Sequence, residues 1–102
     1  MIHVIATIEV AENCRDAFLA EVRKIVPLVR EEQGCIDYQP ACDLATNISA
    51  QPAERSNVVV MIERWDDLEC LEAHLIAPHM VKYRESVKQF VNNVTLQVLQ
   101  PV

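Results

Sequence analysis

Hydrophobic and polar residues alternate at the start of the chain, in the segment IHVIATIEV (Ile2–Val10). Every second residue from Ile2 onward is apolar, whereas the intervening positions include His3 and Glu9. A repeat of two predicts a β-strand with one face turned toward a hydrophobic core. Further strands are predicted over CIDYQPACDL (Cys35–Leu44), which Pro40 weakens or bulges, over VVVMIERW (Val58–Trp65) and over VTLQVLQ (Val94–Gln100).

A helical repeat follows this first strand. Asn13 is positioned to cap a helix, and asparagine is among the preferred N-cap residues. Beyond it, apolar residues recur at intervals of three or four, as the stripe of an amphipathic helix requires: Cys14, Phe18, Val22, Ile25 and Val29. Gly34 is the only glycine in the chain, and it stands where a helix ending near Gln33 needs a left-handed residue.

Two further helical segments are predicted after the third strand. Asp66 or Asp67 caps the first of them, and the apolar stripe of this helix consists of Leu68, Leu71 and Leu75. Pro78 either ends the helix or occupies the first position of a new one, whose stripe comprises Met80, Tyr83, Val87, Phe90 and Val91. The earlier segment Ala45–Asn57 is polar, contains Pro52 and is predicted to be a loop or an irregular edge.

The order of the predicted elements favours an α+β fold for one domain over residues 1–102. Strand, helix, strand, strand, broken helix and strand is close to the split βαβ plan, a ferredoxin-like antiparallel sheet with helices on one face. Several strands carry apolar residues on both sides, so the second face also needs a cover. A composition of 51% hydrophobic residues is high for so small a chain, and the sheet of a second subunit is the natural cover. We therefore expect a homodimer with a barrel across the two sheets.

The acidic composition changes which partners are expected. Nine basic and fifteen acidic residues give a formal net charge of -6, which argues against nucleic acid and against an anionic membrane surface. The first residues lack the basic and apolar regions of a signal peptide, and no apolar run approaches the ~20 residues of a membrane-spanning helix. We therefore expect a cytoplasmic protein. Its four cysteines lack C-x-x-C and zinc-type spacing and are expected to be small buried hydrophobes.

Two segments resemble a known family. EEQGCIDYQ (Glu31–Gln39) follows the first helix, and ERWDDLECLEAHLIAPHM (Glu63–Met80) runs from the third strand into the last helix. The chain resembles the antibiotic biosynthesis monooxygenase superfamily of dimeric α/β-barrel proteins over nearly its whole length. The resemblance implies a ferredoxin-like subunit, a homodimer and a pocket between sheet and helices. It also implies that O₂ oxidises a quinol or phenol without a metal, flavin or haem cofactor.

Three residues are the candidate catalytic set. His74 lies at the edge of the apolar stripe of its helix, and histidine's ordinary pKa of ~6.5 suits removal of a phenolic proton. The alternative is a core histidine that is hydrogen-bonded to the backbone or to Tyr38. Trp65 is either an aromatic wall for a planar substrate or a plug at the strand-to-helix corner. Tyr38 either orients a substrate oxygen or is a buried tyrosine that binds a backbone carbonyl.

The last helix supplies the candidate substrate-binding residues, His79, Tyr83 and Arg84. Arg84 lies within an apolar stripe, so it anchors an anionic substrate oxygen, pairs with Glu63 or extends to the surface. Glu63 itself faces either solvent or a buried donor, and His79 near a helix start is otherwise an exposed residue. The three histidines lack the spacing of metal ligands, so no metal site is predicted.

These residues favour an enzyme that binds a small aromatic ring, removes a phenolic proton and excludes water. In a cofactor-independent monooxygenase the substrate itself supplies the electrons that reduce O₂. One alternative is an isomerase or other proton-shuttle enzyme on a small metabolite, with His74 as the shuttle and Arg84 at a phosphate. The other is a non-catalytic, stress-response barrel that binds a small ligand.

Overall fold

The computed structural model describes all 102 residues. Its elements are β1 (Ile2–Val10), α1 (Arg15–Arg30), β2 (Cys35–Ala41), β3 (Val58–Trp65), α2 (Leu68–Leu75), α3 (Pro78–Val87) and β4 (Val91–Leu99). The strands pair antiparallel in the order β2-β3-β1-β4, and the helices cover one face of the sheet. This arrangement confirms the predicted α+β, ferredoxin-like fold. No helix combines the length and the hydrophobicity needed to cross a membrane.

The core lies between the sheet and the helices, and the alternation along β1 places it there. The even-numbered residues from Val4 to Val10 are buried, at 5% exposure or less. The register of β1 with β3 pairs Ala6 with Met61 and Ile8 with Val59, so these side chains share the helix-covered face. Helix α1 buries its predicted stripe against them, at Phe18, Val22, Ile25 and Val29. One cluster of 15 buried residues results.

Helix α1 begins later and ends earlier than its sequence signals predicted. Asn13 is not the N-cap: it takes a left-handed conformation with φ 65° in the preceding turn, which asparagine tolerates better than most residues. Cys14 is the N-cap and makes no side-chain cap hydrogen bond. The helix stops at Arg30 instead of Gln33, and Gly34 adopts the predicted left-handed conformation with φ 80°.

Gly34 also brings the turn after α1 against the start of α2. Its carbonyl accepts a hydrogen bond of 2.8 Å from the backbone N–H of Asp66. A Cβ at this position would collide with the side chain of Cys70. The close approach places the turn that contains Glu32 beside α2, and glycine permits it in both conformation and space.

The second and third helices begin where capping residues predicted. Asp67 caps α2 by accepting a 2.9 Å hydrogen bond from the N–H of Cys70, and Pro78 is the first residue of α3. The stripe predicted for α2 was wrong at Leu68, which is 52% exposed, because only the face with Leu71 and His74 meets the sheet. Phe90 lies beyond α3, in the turn before β4.

Two regions of the sheet are incompletely covered. Strand β4 starts at Val91, earlier than predicted, and most of it is exposed, since it is an edge strand beyond the reach of the helices. On the face away from the helices, Ile62 and Leu99 are 36% and 48% exposed. Strand β2 ends at Ala41, earlier than the predicted Leu44, and the irregular segment before β3 includes the predicted loop Ala45–Asn57. An ion pair of 2.9 Å joins Asp43 to Arg55 across this segment.

Candidate active site

A cavity of ≈440 Å³ lies between the helix-covered face of the sheet and helices α2 and α3. Eleven of its fifteen lining residues are hydrophobic. The closed end of the cavity is formed by Tyr38, Glu63 and His74, which are 3%, 4% and 2% exposed. The open end is formed by exposed residues of α3, the following turn and the edge strand β4, namely Arg84, Lys88, Val94 and Leu96. A mostly apolar cavity with a few polar groups is the usual form of a small-molecule site.

His74 is held from three sides at the closed end. Its Nδ1 lies 2.9 Å from Oε2 of Glu32. Its ring centroid lies 4.7 Å from that of Trp65 in a tilted arrangement and 5.5 Å from that of Tyr38 in an edge-on arrangement. Leu71, three residues earlier, is the other buried residue of α2, so the helix turns both side chains toward the sheet. These contacts orient the imidazole.

Glu32 selects the tautomer of His74. A carboxylate only accepts hydrogen bonds, so Nδ1 carries the hydrogen and the lone pair is at Nε2. Nε2 has no hydrogen-bond partner in the protein. Every fully buried side-chain nitrogen or oxygen makes a hydrogen bond, so Nε2 is not fully buried. Nε2 therefore opens into the cavity that His74 lines. Burial lowers the pKa of His74 more than Glu32 raises it, so the imidazole is uncharged near neutral pH and can accept a proton.

The same Glu32 oxygen also binds His79. Nε2 of His79, at the second position of α3, lies 2.7 Å from Oε2 of Glu32. The side chain of His79 is 25% exposed and does not line the cavity. Glu32 thus connects the turn after α1 to both α2 and α3 through two imidazoles. No group of three or more His, Cys, Asp or Glu side chains is arranged to hold a metal ion.

Trp65 and Glu63 form a second buried pair on β3. The indole Nε1 of Trp65 donates a 3.0 Å hydrogen bond to Oε1 of Glu63. Trp65 is fully buried and does not line the cavity, so it supports the site from behind. Burial raises the pKa of Glu63 to about 7, although the Trp65 hydrogen bond opposes the shift. Both the protonated and the ionised form of this carboxyl group are therefore populated near neutral pH.

The remaining polar groups of the cavity are two tyrosines and two basic residues. Burial raises the pKa of Tyr38 and of Tyr83 above the ordinary value, so both hydroxyls stay protonated and can donate to a ligand oxygen. Arg84 neither pairs with Glu63 nor lies free: its Nη2 donates a 2.7 Å hydrogen bond to the carbonyl of Leu75. This bond holds the guanidinium at the open end, near the exposed Lys88.

The family model of the antibiotic biosynthesis monooxygenases matches residues 1–86. The chain belongs to this family. It is 42% identical over 103 aligned positions to YgiN of Escherichia coli, which is described as a probable quinol monooxygenase, and the match covers 99% of the chain and 98% of YgiN. Membership of the family and this relative identify the chain as a monooxygenase-type enzyme, as predicted.

Solved structures share the fold of this chain. PA3566 from Pseudomonas aeruginosa superimposes with a TM-score of 0.81 at 28% identity, over 99% of the chain and 93% of PA3566. Rv0793 from Mycobacterium tuberculosis gives a TM-score of 0.80 at 24% identity, over 99% and 94% of the two chains. At that lower identity the likeness shows the fold alone.

In this family member the structure brings together four of the six candidate residues. Tyr38, His74, Tyr83 and Arg84 line the cavity, whereas Trp65 lies behind it and His79 lies outside it. Sequence reasoning missed one residue of the site, Glu32, which lies in a turn, where no periodicity indicates which way a side chain points. Glu63 was named with two orientations, solvent or a buried donor, and the structure shows the buried donor, Nε1 of Trp65.

Proposed function

We propose that the protein is a quinol monooxygenase that requires no metal, flavin or haem, with His74 as the base that takes a hydroxyl proton from the substrate. The observation that carries this proposal is the free Nε2 of His74 at the closed end of an apolar cavity. The relative YgiN, described as a probable quinol monooxygenase, supports the choice of a quinol.

The chain's own residues suffice for the proton transfer that such a reaction needs. A quinol hydroxyl at the closed end donates to Nε2 of His74, and deprotonation leaves an electron-rich anion in contact with apolar walls. The positive charge that forms on His74 is stabilised by Glu32, 2.9 Å from its Nδ1. The hydroxyls of Tyr38 and Tyr83 donate to oxygens of the bound substrate. Exclusion of water by the apolar walls protects the anion from reprotonation.

The electrons balance without a cofactor. One quinol with a free ring carbon and one O₂ give one hydroxyquinone and one water. A C–O bond forms at the ring carbon, the O–O bond breaks, and the second oxygen leaves as water with two of the substrate's hydrogens. The quinol supplies all the electrons, because it is oxidised both to the quinone and at the ring carbon.

The two rival functions fit the cavity less well. An isomerase acting on a phosphorylated metabolite would use Arg84 as the phosphate site, yet one end of that guanidinium is occupied by the carbonyl of Leu75. A non-catalytic barrel is favoured by a cavity without inward polar groups, whereas Glu63 and His74 both line this one. Consumption of O₂ separates the monooxygenase from both rivals.

The test is to measure O₂ uptake with a series of quinols and anthrone-like phenols, and to follow ¹⁸O from ¹⁸O₂ into the product by mass spectrometry. We expect His74→Ala to lower kcat/KM by roughly 100-fold or more, the usual range for loss of a general base. Glu72→Ala is the matched control, since Glu72 lies on the same helix as His74 and is exposed.

Three results would contradict the proposal. The first is that no quinol consumes O₂. The second is that His74→Ala loses stability in proportion to its activity, because His74 would then be only a core residue. Formation of hydrogen peroxide without incorporation of ¹⁸O would instead indicate an oxidase.

We further propose that two subunits pack their sheets together. The face away from the helices carries Ile62 and Leu99 at 36% and 48% exposure, two large apolar side chains that water would otherwise contact. A homodimer would cover this face and produce the barrel predicted from the sequence. Sedimentation equilibrium at micromolar concentration tests it, with twice the chain mass of 11.6 kDa as the expected result.

The proposed location is the cytoplasm. All four cysteines are free thiols, which is the usual state in a reducing compartment. Fractionation of cells that produce the protein tests this location.

A further inference from the structure

We propose that Glu63 binds the second hydroxyl group of the substrate, and that it makes the site select aromatic rings with two hydroxyl groups over rings with one. This inference rests on the proposed function and adds to it a residue that determines specificity. It follows from the position of the carboxyl group, from its single protein partner and from its relation to His74.

One oxygen of Glu63 is free and opens into the cavity. Oε1 accepts the indole hydrogen bond of Trp65 at 3.0 Å, and Oε2 has no partner in the protein. Glu63 is only 4% exposed. Every fully buried side-chain oxygen makes a hydrogen bond, so the unpaired Oε2 keeps some accessible surface. Because Glu63 lines the cavity, its free oxygen faces the space where a substrate would lie.

Glu63 and His74 are held by the same indole ring. Trp65 donates to Glu63 through Nε1, and its ring centroid lies 4.7 Å from that of His74. The indole therefore contacts both of the cavity-lining ionisable groups. In the proposed complex one hydroxyl of a flat ring binds Nε2 of His74 and a second hydroxyl binds Oε2 of Glu63.

The residues around Glu63 offer its free oxygen no hydrogen bond, so a bound ligand must supply one. Its neighbours in the sheet on the cavity side are Val4 on β1 and Tyr38 on β2. A ligand without a second oxygen would displace water from Oε2 and leave that oxygen without a hydrogen bond, which is unfavourable. Sites that hydrogen-bond a substrate hydroxyl reject analogues that lack it for this reason.

The protonation of Glu63 suits a hydroxyl partner. Burial raises its pKa to about 7, so both the acid and the carboxylate are populated near neutral pH. The acid donates a hydrogen bond to an oxygen of the ligand, and the carboxylate accepts one from a hydroxyl group. A hydroxyl substituent satisfies both forms, whereas a methyl group satisfies neither.

The test compares two ligands of nearly the same shape, hydroquinone and 4-methylphenol, by calorimetric titration without oxygen. We expect the wild-type protein to bind hydroquinone roughly 10- to 100-fold more tightly, as one buried hydrogen bond to an ionisable group provides. In Glu63→Leu we expect a ratio near one, with the affinity for 4-methylphenol unchanged or higher. Glu63→Gln keeps an acceptor for Trp65 and should retain part of the preference.

Specific outcomes would overturn the inference. Equal affinity of the wild-type protein for the two ligands does so without any variant. Equal weakening of both ligands in Glu63→Leu would assign Glu63 a structural role as the acceptor of Trp65. If Glu63→Leu does not fold, the comparison of the two ligands with the wild-type protein decides alone, and equal affinities overturn the inference.

The proposed function fails separately. Because binding is measured without O₂, a preference for hydroquinone with no O₂ uptake would contradict the monooxygenase reaction and leave the Glu63 contact standing. Turnover of quinols and single-hydroxyl phenols with equal kcat/KM would contradict only the role of Glu63.

Discussion

At the closed end of the cavity the two ionisable side chains are each anchored through one atom and free at another, whereas at the open end the basic side chains are exposed. His74 is bound to Glu32 through Nδ1, and Glu63 is bound to Trp65 through Oε1. At the open end, Arg84 and Lys88 stand in solvent beside the uncovered strand β4.

This difference indicates that the reaction takes place at the closed end and that the substrate enters at the open end. Burial changes the pKa of both His74 and Glu63 in the direction that opposes charge. Groups that are desolvated in this way cost stability, and they gather at sites that act on ligands. The open end contains no comparable group and offers an apolar route inward. We therefore expect substitutions at the closed end to have large effects on stability or activity, and matched ones at the open end to have small effects.

The largest effect is expected for Trp65→Ala. Trp65 is fully buried, so the substitution leaves a large cavity and should lower the free energy of unfolding by about 3–5 kcal/mol. It also removes the partner of Glu63 and the ring beside His74. Urea denaturation measures the change. Val94→Ala at the open end, where Val94 is 51% exposed, is the control and should cost less than about 1 kcal/mol; similar losses in the two variants would remove the contrast between the ends.

A smaller effect, of opposite sign, is expected for Glu63→Gln. The pKa of Glu63 is raised from 4.5 to about 7 in the folded protein, so the folded state binds this proton more tightly than the unfolded state. The wild-type free energy of unfolding therefore falls as pH rises from about 4.5 to about 7. Above that range Glu63→Gln should be more stable than the wild type by about 1–3 kcal/mol, and below it the two should be equal.

Urea denaturation near pH 8 and near pH 4.5 measures this gain. Glu72→Gln serves as control, since Glu72 is exposed on α2 and its replacement should leave the difference between the two pH values unchanged. A gain for Glu63→Gln that is the same at both pH values would contradict the assignment to its titration.

The smallest effect is expected for Glu32→Gln. Glu32 raises the pKa of His74 against the effect of burial, so its replacement should lower that pKa further. The pH below which kcat/KM falls should then be lower, because His74 must be uncharged to accept a proton. The maximal rate should fall about 10-fold, since the imidazolium loses its carboxylate partner.

The pH dependence of quinol oxidation measures this shift. Glu31→Gln, at the exposed neighbouring position, is the matched control. A fall in rate with an unmoved acidic limb would mean that Glu32 only supports the turn after α1.

The fold was predictable because its signals are local. Alternation along Ile2–Val10, the stripe of Phe18 to Val29, and Pro78 at the start of α3 each depend on neighbouring residues and on backbone geometry. The errors are local too. Asn13 suits both an N-cap and a left-handed turn, and Leu68 has helical spacing with Leu71 but lies on α2 beyond the reach of the sheet.

The site was only half predictable because it is assembled from distant segments. His74 and Glu32 are 42 positions apart in the chain, and nothing in the sequence around Glu32 distinguishes it from the exposed Glu31. Trp65 and His74 belong to one short segment, which is why both were candidates. The burial of Trp65 behind the cavity and its hydrogen bond to Glu63 could not be read from that segment.

The sequence by itself determined the order of strands and helices, the face of β1 that is buried and the presence of one histidine at the edge of an apolar stripe, because periodicity and capping act within a few residues. The tertiary structure alone decided which nitrogen of that histidine is free, which carboxylate orients it and which oxygen of Glu63 reaches the cavity. Those properties depend on hydrogen bonds and burial, which arise only when α1, the sheet and α2 pack together.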